Sequence, residues 1–256
     1  FIEYNRRDVE SEREIYNRLR TIGEVAPAEW KNWHIDQRIN DRGVRIDRRL
    51  VNSILCYDES HAATLLAEAK QISGLENPRS LLQLKKWIRS TDPEHTSMVE
   101  HSLDKATVND LLQKKIKPAT RRMLKIRQEL GKTSVRKYEA FARAASSRDD
   151  RVRGCFQFYG SRTGRFAGRL IQPQNFPRNS FDDIDDARKY VRSGDWTAME
   201  TLYDSPNDVF STLIRTAIVP ESGATFVIAD YSAIEARVTA WLAREAWRQK
   251  AFAAGE

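Results

Sequence analysis

The chain has 256 residues, 40% hydrophobic and 31% charged, with a formal net charge of +7 and two cysteines. This is the composition of a globular protein, with length enough for one large domain or two small ones. No apolar run approaches the roughly 18 residues of a membrane span, and Cys56 and Cys155 are too few and too far apart for a disulfide framework or a zinc site, so a reducing, cytoplasmic setting is expected.

The chain opens on Phe1-Ile2-Glu3, without a Met or a signal-like segment, and reads as an internal stretch. Residues 1–20 predict one amphipathic helix with Ile15 and Leu19 on its apolar side. Pro27 and the pair Trp30/Trp33 mark a change of unit. A helical pattern then leads to a turn at Asp41-Arg42-Gly43 and an extended Val44-Arg45-Ile46. Asp47 is a candidate N-cap for a helix that carries Leu50, Val51, Ile54, Leu55, Leu65, Leu66 and Ala69 and ends at Gly74. Asn77-Pro78-Arg79-Ser80 starts a shorter helix with Leu81, Leu84, Trp87 and Ile88, followed by a polar linker from Thr91 to about Ser102. Asp104 opens a helix that stops before Pro118. From Pro118 to about Ala145 runs the longest helical pattern, with Met123, Ile126, Leu130, Tyr138 and Phe141 on one side and a break or kink at Gly131.

Residues 111–170 hold 17 Lys/Arg against 4 Asp/Glu, which leaves the rest of the chain net acidic. Solvated helix faces usually mix both signs, so a block this one-sided suits phosphate contact; a basic surface kept for solubility is the alternative. Beyond Asp149-Asp150 the pattern alternates, putting Val152, Gly154, Phe156 and Phe158 on one strand face, and a Gly/Arg-rich loop runs from Gly160 to Arg169. Residues 179–209, with 8 Asp/Glu against 3 Lys/Arg, read as an acidic, inserted surface excursion. Phe226-Val227-Ile228-Ala229 predicts a buried strand, Asp230-Tyr231-Ser232 a turn, and Ile234 onward a helix. The four histidines show no ligand spacing, and the six tryptophans are expected as core anchors.

Chemistry concentrates in Asp230-Tyr231-Ser232-Ala233-Ile234-Glu235-Ala236-Arg237. A carboxylate between an apolar strand and a helix start is placed to hold a hard cation such as Mg²⁺, or simply to cap the helix. The octet resembles motif A of family A (DNA polymerase I-like) DNA polymerases, Asp-Tyr-Ser-Gln-Ile-Glu-x-Arg, with Ala233 departing from the usual Gln. The resemblance implies that Asp230 ligates the catalytic Mg²⁺ ions together with the Tyr231 carbonyl. It also implies that Glu235 lies under the nucleotide sugar and excludes a 2′-hydroxyl, and that Arg237 is a structural or backbone-contacting cation.

Upstream, Thr163-Gly164-Arg165-Phe166 and Gln172-Pro173-Gln174-Asn175-Phe176-Pro177-Arg178 resemble the family's Thr-Gly-Arg-Leu and Asn-Leu-Gln-Asn-Ile-Pro segments, with Gln172 and Pro173 as departures. Arg165, Gln174 and Asn175 are thereby implied at the minor groove of a primer–template, whose acceptors recur at similar positions in every base pair; Arg178 is counted with them. Arg127, Lys132, Arg136, Lys137 and Tyr138 resemble the family's thumb, which grips the duplex backbone. Tyr4 and Asp8 match the Tyr-x-x-x-Asp spacing of the third motif of 3′–5′ proofreading exonucleases, and on a helix these two share a face, with Asp8 the implied metal ligand.

The resemblance implies an α+β fold, a largely helical base and thumb followed by the first antiparallel strands of a palm. The expected segments are 1–22 (end of an exonuclease domain), 23–104 (base), 105–150 (thumb) and 151–256 (start of a palm, with insertion 179–209). The implied reaction is attack of a primer 3′-hydroxyl on a deoxynucleoside triphosphate, on primer–template DNA, in a phage or bacterial type of enzyme. The fingers and a second palm carboxylate are missing, so a C-terminal half is expected in cis or as a second chain, and the chain alone is expected to be inactive. The alternative is a non-catalytic DNA-binding subunit, or half of a split or degenerate polymerase.

Overall fold

The computed structural model describes residues 1–131, 135–178, 181–203 and 205–255, His101 by its backbone alone. The chain divides into two units, Phe1–Val219 and Pro220–Glu256, each taken by itself below.

In the first unit, α1 (Ile2–Arg20) is the helix expected there, but it buries none of its side chains. α2 (Pro27–Arg42) starts on a proline, whose absent N–H would find no helical partner in the first turn anyway. It stops at Gly43, where φ is +70° and an added Cβ would lie 2.8 Å from the Val152 carbonyl oxygen. Only glycine meets both conditions. The close approach lets β1 (Val44–Arg45) pair antiparallel with β2 (Arg151–Val152), Val44 opposite Val152 and Arg45 opposite Arg151.

α3 (Arg48–Ser73) is opened by the Asp47 carboxylate, which accepts from the Leu50 amide at 3.1 Å, and is closed by Gly74 in the left-handed region. At 1.5 Å per residue its 26 residues extend about 39 Å, enough to serve two separate cores. Its C-terminal half gives Leu65 and Ala69 to a cluster with Leu84 and Ile88 of α4 (Leu81–Thr91), Val99 of α5 (Thr96–His101), Val108 and Leu111 of α6 (Lys105–Gln113), and Met123 and Ile126 of α7 (Pro118–Leu130). This cluster runs across position 104/105, where base was expected to give way to thumb. The expected linker at 91–102 is a 3-10 turn (Pro93–His95) running into α5. Its polar sequence hides two anchors: Val99 is fully buried, and the buried Asp92 carboxylate accepts from the Lys117 amide.

The N-terminal half of α3 gives Leu50, Val51, Ile54 and Tyr57 to the other core, with Val135, Tyr138 and Phe141 of α8 (Val135–Ala144). The long pattern from Pro118 is thus two helices, broken at Gly131 as expected, and its apolar side feeds two different clusters. The single strand expected over 152–158 is also divided. Gly154 turns the chain at φ +71°, Cys155 rather than Gly154 is buried, and the chain resumes as β3 (Phe156–Gln157), antiparallel to β4 (Ala167–Gly168).

The described residues of 179–209 are not a surface excursion. α9 (Ile184–Ser193), α10 (Trp196–Leu202) and α11 (Pro206–Leu213) place Ala187, Val191, Met199, Val209 and Phe210 in the core with α3 and α8, while their described acidic residues all face outward. Polar composition misled because one apolar stripe per short helix is enough to dock it. Only Trp196 and Trp87 fit the expectation of tryptophan anchors, packed against the two cores; Trp30, Trp33, Trp241 and Trp247 are exposed.

In the second unit, the strand expected at 226–229 is absent: Val227 and Ile228 are 93% and 90% exposed and pair with nothing among the described residues. A strand satisfies its backbone only beside another strand. α12 (Ile234–Leu242) and α13 (Ala246–Ala254) form a hairpin on the buried Ala240. No described helix is long and apolar enough to cross a membrane.

Candidate nucleic-acid interface and carboxylate site

Asn40 ties the β3–β4 hairpin to α2. Asn40 donates from Nδ2 to the Phe156 carbonyl (2.9 Å) and accepts on Oδ1 from the Phe156 amide (3.0 Å), standing in for a neighbouring strand. At the tip, Ser161 Oγ accepts from the Arg165 amide (3.0 Å), and Gly164, at φ +77°, lies against the Tyr159 ring. Phe158 meets Tyr159 and Phe166 edge-on at 5.8 and 5.5 Å, a small aromatic brace under a turn that leaves Arg165 exposed. Behind it the Arg169 amide donates to the Cys155 carbonyl at 2.7 Å, and the Arg169 side chain donates to Gln157. Burial pushes the Cys155 thiol up to about 11, so it packs as a small apolar group.

The next segment alternates between anchor and presentation. Ile171 and Phe176 are buried, Phe176 against Phe141 at 5.6 Å, while Gln174, Asn175 and Arg178 are exposed. Asn175 donates to Gln172 Oε1 at 3.1 Å, and Arg215 fixes the exit by donating to the Phe176 and Pro177 carbonyls, both at 2.8 Å. Pro173–Asn175 is a 3-10 turn that starts on the proline, and Gln172 before it takes φ +51°.

The basic helices sort into different roles. Lys137 donates to the Ile171 carbonyl at 3.3 Å and lies over the Phe176 ring, bracing the exposed segment from behind. Arg127 donates to the Leu103 carbonyl and lines a cleft of about 890 Å³ beside α6, α7 and α11. Arg136 is exposed on α8. Tyr138 is fully buried and donates to the Phe210 carbonyl at 2.6 Å, a core residue and not a DNA contact. Lys132 lies outside the described residues.

In the second unit Asp230, Tyr231 and Glu235 are exposed, and Ala233 takes φ +50° at the start of α12. Arg237, expected as a structural or DNA-backbone-contacting cation, donates to the Ser232 carbonyl (2.8 Å) and the Phe252 carbonyl (3.2 Å) and stacks on the Phe252 ring at 4.6 Å. It ties the turn after Asp230 to α13. Among the described residues no three His, Cys, Asp or Glu side chains are grouped to hold a metal. Mg²⁺ demands near-octahedral oxygen donors but takes only one or two of them from protein carboxylates, the rest from water and phosphate oxygens; Asp230 with the Tyr231 carbonyl fits part of such a donor set. On α1, Tyr4 and Asp8 are exposed one turn apart.

Asn40 and Arg215, which hold the hairpin and the 171–178 segment in place, were invisible to sequence reasoning. Their partners are backbone atoms 116 and 38–39 residues away, and a main-chain acceptor leaves no side-chain pattern to find.

Residues 58–256 match the family model described as DNA polymerase family A. A DNA polymerase of Bacillus phage SP02 is 48% identical over 246 residues, which cover 96% of this chain and 37% of that relative. The chain therefore spans little more than a third of the length of the curated relative it matches. No solved structure matches. The family match takes in the hairpin, the 171–178 segment and the Asp230 octet alike, and the chain belongs to DNA polymerase family A.

Proposed function

We propose that the chain supplies the DNA-gripping surface and the first catalytic carboxylate of a template-directed DNA polymerase. The observation that carries this reading is the alternation at 165–178 within a family A chain: Ile171 and Phe176 anchor the backbone while Arg165, Gln174, Asn175 and Arg178 face solvent. Such an array donates hydrogen bonds along a duplex without reading its sequence, because minor-groove acceptors are nearly the same for all base pairs. Arg127 and Arg136, with Lys132, extend the grip to the phosphates, and Lys137 and Arg237 are positioning residues. The segments are assigned as 1–22 exonuclease end (Tyr4 and Asp8), 23–104 base, 105–150 thumb and 151–256 first part of the palm.

Asp230 acts with a second carboxylate that the rest of the polymerase provides, in cis or as a docked chain. Mg²⁺ bound there would activate the primer 3′-hydroxyl and stabilise the leaving pyrophosphate. Glu235 crowds the 2′ position of an incoming deoxynucleoside triphosphate. In a complete polymerase, Asp230→Ala should abolish primer extension while DNA affinity stays within about twofold, since its role is in the transition state and the grip lies elsewhere. Extension retained above a few per cent removes Asp230 from the catalytic site; it is not the cap of α12 either, since Ala233 takes that position and no side chain caps the helix. Full loss of DNA binding in the same variant makes the chain a DNA-binding subunit whose octet is structural.

A further inference from the structure

Residues 179–209 are acidic in sequence, yet all three of their cations, Arg188, Lys189 and Arg192, line one cleft of about 390 Å³. Arg49 of α3 adds a fourth; Asp185 and Ser193 complete the lining. Asp182, Asp183, Asp186, Asp195 and Glu200 are not among the lining residues.

Internal structure uses only part of this charge. Arg188 and Arg192 both donate to the buried Asp47 carboxylate, Arg192 at 2.8 Å, and Arg49 donates through Nε to the Arg192 carbonyl at 3.1 Å. With Ser53 donating to the Val191 carbonyl at 2.6 Å, Arg49 satisfies the last turn of α9, as a basic residue at a helix C-terminus should. Among the described residues that leaves the Lys189 ammonium, exposed on α9, and the terminal guanidinium nitrogens of Arg49. Four cations against Asp185 and the buried Asp47 leave the cleft net positive.

We propose that this cleft is an anion site that holds the backbone phosphates of DNA, a second attachment point apart from the 111–178 block. The ligand class follows from the lining. Every residue is charged or polar, with no aromatic ring to stack a base, so what the cleft chiefly offers is charge and hydrogen bonds to phosphate oxygens. Its rim residues Arg49, Asp185, Lys189 and Ser193 are exposed, as a passing strand requires. The proposal rests on the DNA-polymerase reading above for the choice of DNA over other phosphate carriers.

The test is binding of the chain to a fluorescent primer–template over a salt series, with Arg49→Gln/Lys189→Gln beside the charge-matched α1 variant Arg7→Gln/Arg13→Gln. Arg188 and Arg192 are left intact because they hold Asp47. Each lost phosphate contact lowers the slope of log K against log salt by about 0.9, so the cleft variant should lose about two and the α1 variant much less. Equal slopes for both variants, or no change in the cleft variant while the parent binds DNA, overturn the proposal and leave the polymerase reading standing. No binding by the parent overturns both. Competition by tripolyphosphate that the cleft variant abolishes, with DNA affinity unaltered, assigns the cleft to a free polyphosphate instead.

Discussion

Asn40 makes both of its hydrogen bonds to one backbone position, Phe156, so its removal strands a half-buried amide and carbonyl together. Asn40→Ala should lower stability by about 1–3 kcal/mol, read as a melting temperature a few degrees lower with the helical circular dichroism unchanged. Asp47 carries a different load. Burial opposes its ionisation, but the Leu50 amide and the Arg192 and Arg188 guanidiniums outweigh it and hold the carboxyl below its ordinary value. A group depressed on folding contributes fully above its unfolded value, about 4, and its contribution is lost as pH falls through the lower folded value. Asp47→Asn keeps a cap acceptor and loses the charge. Thermal melts should place it below the parent at pH 7, by about 1–2 kcal/mol, with the gap narrowing as pH drops below about 4. A gap that persists in acid assigns the loss to cap geometry.

At the scale of elements, α3 is the beam on which both clusters are built, and the two share no buried residue. Ile88→Ala should cost about 2–5 kcal/mol locally and speed hydrogen exchange in α4 to α7 while α8 to α11 keep their protection. Ile54→Ala should do the reverse. Acceleration throughout by either variant would mean that α3 couples the clusters into one cooperative unit. Helices were legible because caps and periodicity act within a few residues: Asp47, Gly74, Ser80 and Asp104 stand where their chemistry predicts. Strands were less so. The alternation at 152–158 gave no sign that Gly154 divides it between two partners, β1 and β4, because strand pairing is decided by distant segments.

Over the whole molecule, the basic excess at 111–178 is the property most easily measured. If about six phosphates are engaged, affinity for duplex DNA should fall roughly a thousandfold between 50 and 200 mM salt, with little sequence preference. Salt-indifferent or strongly sequence-selective binding would contradict the proposed interface. Primer-extension assays of the chain alone should show no activity, because one carboxylate leaves Mg²⁺ hydrated and weakly held; adding a chain with the proposed second carboxylate should restore extension.

The family was determined by sequence alone, and so were the residues proposed for its site. Asp230, Arg165 and Asn175 are recognised by neighbours a few positions away, and helix ends by their caps. Tertiary structure decided which residues of the basic helices are available. Lys137 and Tyr138, adjacent to the exposed Arg136, are drawn inward by Ile171, Phe176 and Phe210. It also turned an acidic segment into three docked helices that gather their cations with Arg49. A local signal survives in any context, whereas exposure and charge convergence exist only once residues more than a hundred positions apart are packed together.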